Sequence, residues 1–320
     1  MSTRALVTGG SGFVAQWAIR AMLSRGWTVT AATHGQANTA GVLSAEESAA
    51  VMWRAMDVTS QEDVAAAVDA ATADVVLHLA GVSFIPDAAR DPGYAYAVNT
   101  VGTVRLLAEL RRHRAASTGD PTVLVIGSAE QYGRHELNSM PLHEETVQQP
   151  LTLYAASKVA QEVAALQAFR SEGVRVVCTR SFNHSGLGHE ARFLLPALVE
   201  RALRLPPRGG ALMIGNGDTV RDFLHVADVV EAYLSLLERG ATGEAYNVCS
   251  GQGVSVRALA QRVLQRAGRT AEITTDPTLS RPVDVPVQVG DNSKLRRATG
   301  WTPNRTRDDI IDDLIHAATR

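Results

Sequence analysis

Short apolar segments alternate with longer segments of helical periodicity through the first 180 residues of the chain. In the first helical segment Val14, Ala18, Ala21 and Met22 recur at the spacing of one helix face, and Gly26 stands where a helix C-cap belongs. The apolar segments predict strands at residues 5–8, 28–32, 51–56, 75–79, 123–126 and 174–179. Residues 123–126 are apolar at every position, which is typical of a strand buried on both faces of a sheet.

Strands and helices that alternate in this way indicate βαβ units on a parallel sheet. The sequence therefore predicts an α/β fold, a doubly wound parallel sheet, for residues 1–180. Beyond residue 180 prolines and paired glycines interrupt the pattern, and helices are predicted at residues 194–205, 226–239, 256–267 and 308–318. We expect residues 181–320 to form a smaller, irregular second region, with the chain crossing back to the sheet.

Composition and charge exclude several classes of partner. Thirty-one basic and 33 acidic residues give a net charge of −2, so neither nucleic acid nor an anionic membrane is expected. No apolar run approaches the roughly 20 residues that span a bilayer, and the short apolar run before Gly9 is unlike a signal peptide. We therefore expect a cytoplasmic protein. Cys178 and Cys249 are too few for a disulfide framework or a four-cysteine zinc site, so both are predicted to be core residues and no metal centre is expected.

The first predicted strand runs directly into a glycine-rich turn, Thr8-Gly9-Gly10-Ser11-Gly12-Phe13-Val14-Ala15. In such a turn Gly9 permits the tight bend, Gly12 lets the backbone approach a pyrophosphate, and a small residue at Ala15 allows close packing of helix on strand. The helix N-terminus adds N–H groups and a positive dipole. The context predicts a Rossmann-type dinucleotide site whose cofactor contacts include Gly9, Ser11, Gly12, Phe13 and Val14.

The end of the second predicted strand bears on the choice of dinucleotide. The ribose 2′-hydroxyl of NAD usually meets an Asp or Glu about 20 residues after the turn, whereas this segment ends in Thr33 and His34. It offers no carboxylate to repel a 2′-phosphate and no arginine to bind one, so NADP(H) is mildly preferred and NAD(H) stays open. Asp57 and Val58, after the third strand, are positioned to meet the adenine, and the alternative role for Asp57 is a helix N-cap.

Tyr154 and Lys158 stand four residues apart in a segment of good helix formers, so they share one helix face. An ammonium group beside a phenol stabilises the phenolate, so Lys158 is expected to lower the pKa of Tyr154 and make it a usable general acid or base. Ser128 follows the fifth strand, and ligands of open α/β sheets lie beyond the carboxyl ends of the strands. These three residues are the candidate catalytic group.

A serine, tyrosine and lysine behind a first-strand glycine turn resemble the extended, nucleotide-sugar-modifying branch of the short-chain dehydrogenase/reductase family, the NAD-dependent epimerases and dehydratases. The resemblance covers essentially the whole chain. Further matching strings are His78-Leu79-Ala80-Gly81, Val98-Asn99-Thr100-Val101-Gly102-Thr103, Arg180-Ser181-Phe182-Asn183-His184, Val220-Arg221-Asp222-Phe223-Leu224-His225-Val226, Tyr246-Asn247-Val248-Cys249-Ser250-Gly251 and Arg281-Pro282. Within the branch, residues 80–86, 182–188 and 246–251 are most similar to GDP-4-keto-6-deoxy-D-mannose reductases.

This resemblance implies an NAD(P)H-dependent reduction at C4 of a GDP-linked 4-keto-6-deoxy sugar, which yields GDP-D-rhamnose. Tyr154 would protonate the C4 oxygen, Ser128 would hydrogen-bond it, and Lys158 would tune Tyr154 and hold the nicotinamide ribose. The resemblance also places Leu79, Ala80, Gly81, Tyr154 and Lys158 at the cofactor, and Ser83, Asn183, Arg221 and Arg281 at the nucleotide sugar. It implies a homodimer formed through the helices near residues 95–114 and 153–171, and a substrate-binding role for residues 181–320.

Several residues keep a second interpretation. Glu130 stands where 4,6-dehydratases of the family carry the carboxylate that removes the C5 proton, so a redox-neutral dehydratase or 4-epimerase is the alternative function. Arg221 could instead form an ion pair with Asp222, Asn183 could cap a turn, and His184 could be structural. The chain also departs from the family at Ser181 and Leu187, where proline is usual, which bears on the identity of the sugar.

Overall fold

Seven parallel strands form the central sheet of the computed structural model, which describes residues 2–35, 42–279 and 284–319. The strands are β1 (Arg4–Thr8), β2 (Thr28–Thr33), β3 (Met52–Ala55), β4 (Val75–His78), β5 (Thr122–Ser128), β6 (Val176–Ser181) and, after three strands of the second region, β10 (Ala245–Val248). Their order across the sheet is β10-β6-β5-β4-β1-β2-β3. The chain reverses direction across the sheet between β1 and β4, which is where open α/β sheets bind their ligands. The predicted doubly wound α/β fold is confirmed.

Helices cover both faces of this sheet, and the strand sequences explain why. In β1, Ala5 and Val7 belong to the core under one face, and Leu6 belongs to the core under the other. The helices of the chain are α1 (Phe13–Ser24), α2 (Ala45–Ala49), α3 (Gln61–Ala71), α4 (Ile85–Arg90), α5 (Pro92–Tyr96), α6 (Gly102–Ala115), α7 (Leu153–Glu172), α8 (Leu194–Leu203), α9 (Val226–Arg239), α10 (Val256–Arg266), α11 (Ser293–Thr299) and α12 (Arg307–Ala318). Residues of α1 and α9 pack under the first face, and residues of α3, α6 and α7 pack under the second.

The second region has its own core between α8, α10 and α12. Two further sheets belong to it. One joins β7 (Asn183–Ser185), β9 (Val220–His225), β11 (Gly253–Ser255) and β13 (Val287–Gln288), and the other pairs β8 (Arg208–Ile214) with β12 (Thr270–Thr275). Because β7 follows directly from the carboxyl end of β6 and pairs with β9, this region stands over the edge of the central sheet where the glycine turn and Ser128 lie.

Most predicted elements are found within two residues of their expected bounds, including the four helices predicted beyond residue 180. β10 was not predicted as a strand, although the chain was expected to cross back to the sheet, and it joins the central sheet from the region predicted to be irregular. The division at residue 180 stays a prediction. Cys178 and Cys249 are both buried and unbridged, as expected of core residues. Among the described residues, the helices are too short or too polar to cross a membrane, and the cytoplasmic location stays a prediction.

Candidate active site

The glycine turn after β1 is packed so closely that side chains are excluded from it. Gly9 has a φ of +69°, and a Cβ there would lie 2.8 Å from the backbone nitrogen of Ala80. A Cβ on Gly12 would lie 3.1 Å from the carbonyl oxygen of Gly9. The turn is therefore a backbone cradle of the kind that lets a pyrophosphate come close to a helix N-terminus.

The helix that follows the turn offers its N-terminus to this cradle. Gly12 is the N-cap of α1, and among the described residues no side chain caps it and no acidic residue occupies the first turn. Its N-terminal N–H groups and dipole therefore carry a positive potential that is open to an anion. The residues present fit the diphosphate of a dinucleotide.

A cleft of about 650 Å³ runs from this turn to the second region. Thirteen of the residues with a predicted role line it, from both regions of the chain. They are Gly9, Gly12, Phe13, Val14, Leu79, Gly81, Ser83, Ser128, Glu130, Tyr154, Lys158, Asn183 and Arg221. The structure thus brings together the predicted catalytic, cofactor and substrate residues in one space, although their individual roles stay predictions.

Six predicted cofactor residues lie outside the lining of this cleft: Ser11, Thr33, His34, Asp57, Val58 and Ala80. Ala80 supports the turn from below, since its N–H donates to the Thr8 hydroxyl at 3.1 Å. His34 and Asp57 follow neighbouring strands, with 3.8 Å between His34 Nδ1 and Asp57 Oδ2. They stand side by side at the edge of the sheet where an adenosine would extend from the turn.

Asp57 is not the helix N-cap that the sequence left open. Ser60 caps α3, while an Asp57 carboxylate oxygen accepts hydrogen bonds from the Thr59 hydroxyl at 2.7 Å and the Thr59 N–H at 2.8 Å. These two bonds, the hydroxyl first, hold the pKa of Asp57 below its usual value. The carboxylate is therefore charged and fixed at the end of β3.

Tyr154 lies in the first turn of α7, which Thr152 caps, and its side chain is buried in the floor of the cleft. Burial raises the pKa of its phenol to about 12, the hydrogen bond with the Ser128 side chain lowers it, and the charge of Glu130 raises it further. Ser128 itself is fixed, since its N–H donates to Gln131 Oε1 at 2.8 Å and its hydroxyl accepts from the Glu130 N–H at 3.2 Å. The two hydroxyl groups therefore form one hydrogen-bonded pair.

Lys158 does not act on Tyr154 as the sequence suggested. Its Nζ donates to the Ile126 carbonyl at 2.9 Å and to Gln161 Oε1 at 2.9 Å, and burial lowers its pKa to about 8. The expectation that this ammonium group lowers the pKa of Tyr154 is wrong for the protein alone, because burial of the phenol outweighs the other influences on it.

In the substrate half of the cleft, Arg221 and Asp222 have other partners than the sequence suggested. Arg221 pairs with Asp284 at 2.5 Å and donates to the Val285 carbonyl at 2.7 Å, so the alternative that the sequence left open, an ion pair with Asp222, is wrong. The reason is that the Asp222 carboxylate is occupied by Ser250, whose N–H and hydroxyl donate to it at 2.8 and 2.6 Å.

Asn183 is a strand residue of β7 and not a turn cap, with its amide 3.4 Å from the Asp222 carbonyl. His184 also lines the cleft, and its Nδ1 lies 2.9 Å from the Phe182 carbonyl. Burial lowers the pKa of His184, so it is neutral at neutral pH. Arg281 lies outside the described residues.

Comparison with known proteins gives the family. The profile described as GDP-mannose 4,6 dehydratase matches residues 6–314. The chain belongs to this family. It is an NAD(P)-dependent enzyme of the extended short-chain dehydrogenase/reductase type, and the resemblance stated from the sequence is confirmed.

Two curated relatives are similar over most of the chain. A GDP-6-deoxy-D-mannose reductase of Pseudomonas aeruginosa is 37% identical over 235 residues, which cover 73% of this chain and 76% of that protein. A GDP-6-deoxy-D-talose 4-dehydrogenase of Aggregatibacter actinomycetemcomitans is 32% identical over 298 residues, with 92% and 90% covered.

Among solved structures, RMD from Pseudomonas aeruginosa complexed with NADPH superimposes with a TM-score of 0.80 at 30% identity, covering 98% of each chain. The UDP-glucose 4-epimerase of Thermus thermophilus in complex with NAD gives a TM-score of 0.85 at 26% identity, again over 98% of each chain.

Three residues in or beside the cleft were not singled out from the sequence: His189 and Arg201, which line it, and Gln161, which is hydrogen-bonded to Lys158. His189 stacks on Phe13 with ring centroids 4.6 Å apart and so joins the glycine turn to the substrate half. Arg201 lines the cleft from α8. Nothing in the local pattern marks these two, but Gln161 stands three residues after Lys158 on the same helix face, a spacing that could have revealed it.

Proposed function

We propose that this enzyme uses NADPH to reduce the C4 keto group of a nucleoside-diphosphate 4-keto-6-deoxyhexose, with GDP-4-keto-6-deoxy-D-mannose as the substrate and GDP-D-rhamnose as the product. The observation that carries the proposal is the hydrogen-bonded pair of Ser128 and Tyr154 in the floor of a cleft that begins at a dinucleotide-type glycine turn. The names of the two curated relatives, a reductase and a 4-dehydrogenase of GDP-linked 6-deoxy sugars, support the substrate class.

The chain's own residues supply the proton and stabilise the charge that develops on the sugar. Because the pKa of Tyr154 is about 12, its phenol is protonated at neutral pH and can donate to the C4 oxygen as that oxygen becomes an alkoxide. The Ser128 hydroxyl aligns the phenol and helps to bind the developing charge. The reduced nicotinamide, when bound, supplies the hydride to C4.

Two arginines suit the diphosphate of the sugar nucleotide. Arg221 and Arg201 both line the substrate half of the cleft, and guanidinium groups bind phosphate oxygens through paired N–H donors. Arg221 is already held by Asp284 and Val285, so its fork has a fixed orientation. Asn183 lies near them at the end of the central sheet, and we assign all three to substrate binding.

NADPH is the preferred cofactor in this proposal. Residues 33–35, at the end of β2, carry no carboxylate that would repel a 2′-phosphate. The side chain of His34, the middle residue of the three, is largely exposed. The charge of Asp57 lies at the next strand end and opposes this preference in part. We therefore expect NADPH to be used better than NADH, with NADH still accepted.

The alternative is a redox-neutral 4,6-dehydratase or 4-epimerase. Glu130 favours it, because its carboxylate lines the cleft and is close enough to Tyr154 for its charge to raise the phenol pKa. A carboxylate in that place could remove a sugar proton. The name of the family also belongs to a dehydratase.

The decisive measurement is the stoichiometry of the reduced cofactor. With GDP-4-keto-6-deoxy-D-mannose, the absorbance of NADPH should fall by one equivalent per sugar converted, and faster than that of NADH at equal concentration. Turnover of the sugar nucleotide without net loss of NADPH, and with NAD(P) retained through purification, would contradict the reductase and support the alternative. GDP-, UDP-, dTDP- and CDP-sugars compared by the rise in melting temperature identify the nucleotide, because a ligand that binds only the folded state stabilises it.

We also propose a homodimer formed through α6 and α7. These helices pack on each other, and each exposes a valine, Val104 of α6 at 46% and Val163 of α7 at 61% of its full area. Apolar side chains that two adjacent helices leave in water are candidates for an interface. A two-fold axis beside them would bury the same patch on both copies.

Val163→Glu is expected to convert the dimer to a monomer, because a carboxylate from each copy would be buried near the axis without a partner. Sedimentation velocity at micromolar concentration measures the change. Leu137→Glu is the matched control, since Leu137 is 68% exposed away from these helices and its variant should stay dimeric. A wild-type protein that sediments as a monomer at tens of micromolar would contradict the proposed interface.

A further inference from the structure

Lys158 is held by groups that are uncharged. Its side chain is buried, with 7% of its area exposed, and its Nζ donates to the carbonyl of Ile126 and to Oε1 of Gln161, both at 2.9 Å. A Cβ on Gly81 would come within 3.4 Å of Nζ, so the ammonium group lies against the backbone there. The position of Nζ is therefore set by two hydrogen-bond acceptors, on Ile126 and Gln161, and by contact with Gly81.

The orientation of the Gln161 amide follows from counting donors. An ammonium group can only donate, so Oε1 of Gln161 must face Lys158 and its Nε2 must donate to Thr103 Oγ1, 2.9 Å away. The Thr103 hydroxyl gives its own proton to the Asn99 carbonyl at 2.8 Å, which leaves its oxygen as an acceptor only. Gln161 is completely buried, so every one of these bonds is made without water.

The same assignment of hydrogen-bond donors and acceptors extends from Thr103 to the glycine turn. Because Thr103 accepts, His78 must donate to it from Nε2 at 2.8 Å and accept from the Thr8 hydroxyl at its Nδ1, 2.7 Å away. Thr8 precedes Gly9, and its oxygen accepts from the N–H of Ala80. A single chain of directed hydrogen bonds thus joins Lys158 to the base of the cofactor turn.

We propose that Gln161 is a positioning residue that holds the Lys158 ammonium group in place and keeps it charged, and thereby sets the alkaline limit of activity. The inference rests on the proposed function and on the role that the resemblance implies for Lys158, whose ammonium group in the cleft would hold the nicotinamide ribose. Gln161 touches neither cofactor nor substrate, and it acts only through the amide oxygen that it presents to Nζ. Removing that oxygen leaves the ammonium group with one protein acceptor fewer in a buried site, which favours the neutral amine.

The burial of Lys158 makes its hydrogen bond with Gln161 important for its charge. Burial already lowers the pKa of Lys158 to about 8, so a further change moves its titration through neutral pH. The titratable groups that face it are His78 from β4 and Tyr154 on its own helix, with Glu130 after β5 acting on Tyr154. Burial, aided by the charge of Lys158, lowers the pKa of His78 to about 3, so His78 is neutral throughout the working range.

The chain allows a direct measurement, because Lys158 and Lys294 are its only two lysines. Protein labelled with carbon-13 at the lysine ε-carbon gives two signals, and Lys294→Arg assigns them. In Gln161→Leu, the pKa of Lys158 should fall by about one unit, since a hydrogen bond to a charged group stabilises it by about that much. In the nearly isosteric Gln161→Glu, a carboxylate beside the ammonium group should raise the pKa by about one unit or more.

The pH profile of turnover should move in the same directions. The ammonium form is present below the pKa of Lys158 and is lost as the pH rises through it, so the alkaline limb shifts down in Gln161→Leu and up in Gln161→Glu. Gln167→Leu, an exposed glutamine on the same helix, is the matched control and should leave both the signal and the limb unchanged.

Opposite shifts in the two Gln161 variants support the inference, since a residue needed only for folding would not shift the pKa in both directions. Variants that fold, with wild-type melting temperatures, and titrate Lys158 within a few tenths of a unit of the wild type would overturn it. The carbon-13 titration is done without sugar or cofactor. The titration therefore remains a valid test of Gln161 even if the proposed reaction is not observed. If the protein is an active reductase and the pKa of Lys158 is unchanged in the Gln161 variants, only this inference is rejected.

Discussion

Replacing Tyr154 with phenylalanine is expected to lower kcat by about 10² to 10⁴-fold, the usual contribution of a positioned general acid. The change removes only the hydroxyl that is hydrogen-bonded to Ser128, and the buried ring keeps its packing against Ala88 and Ala95. The developing alkoxide then loses the general acid that the proposal assigns to it, and a weaker or less well placed donor must supply the proton. Steady-state turnover, followed by NADPH absorbance, gives the loss in kcat.

Cofactor binding separates a chemical defect from a folding defect in this variant. The dissociation constant for NADPH, measured by fluorescence, should change little, because the glycine turn and the N-terminus of α1 lie on other elements. Tyr94→Phe is the matched control, since Tyr94 is 48% exposed on α5, and its variant should keep wild-type kcat. Turnover of Tyr154→Phe within a few-fold of the wild type would remove Tyr154 from the reaction.

The pKa of Tyr154 fixes its protonation state in the free protein. A phenol with a pKa of about 12 is protonated at neutral pH, which is the form that a proton donor to the C4 oxygen requires. The Ser128 hydroxyl lowers this pKa and Glu130 raises it, so Glu130→Gln should make the phenol more acidic. The Glu130 carboxylate therefore affects the Tyr154 phenol whether or not it removes a proton from the sugar.

The central sheet could be predicted because burial on both faces leaves a strong signal in its strands. Residues 123–126 are apolar throughout and lie in β5, with neighbours on both sides. β10 was missed because its four residues include Asn247, whose side chain finds its partners far along the chain. Asn247 donates to the Leu142 carbonyl, 105 residues away, and no local pattern contains that contact.

The site was predictable where chemistry is set by position on an element and unpredictable where it depends on a distant partner. Ser128 and Tyr154 meet because β5 ends and α7 begins at the same edge of the sheet. The partner of Arg221 is Asp284, 63 residues away, so sequence proximity pointed to the wrong carboxylate. The pKa of Tyr154 likewise depends on burial, which the spacing to Lys158 does not report.

The largest effect on stability is expected for Glu162→Ala, which should lower the free energy of unfolding by about 3–5 kcal/mol. Glu162 and Arg180 form a salt bridge of 2.7 Å with only 5% and 7% of their side chains exposed. The Glu162 carboxylate also accepts from Gln131 at 2.9 Å and Gln148 at 2.7 Å. Its removal leaves the Arg180 guanidinium buried without its counter-charge, and urea denaturation measures the cost.

The exposed pair Arg111–Glu172 provides the matched control, because Glu172 is on the same helix and their side chains are 54% and 26% exposed. Glu172→Ala should cost no more than about 1 kcal/mol. Activity should fall in Glu162→Ala and not in Glu172→Ala, since Gln131, which Glu162 holds, is the residue that fixes Ser128.

If the two variants are equally stable, the buried pair is not what holds α7 to β6. If the double variant Glu162→Leu with Arg180→Met recovers most of the stability, the loss comes from the uncompensated charge and not from missing packing.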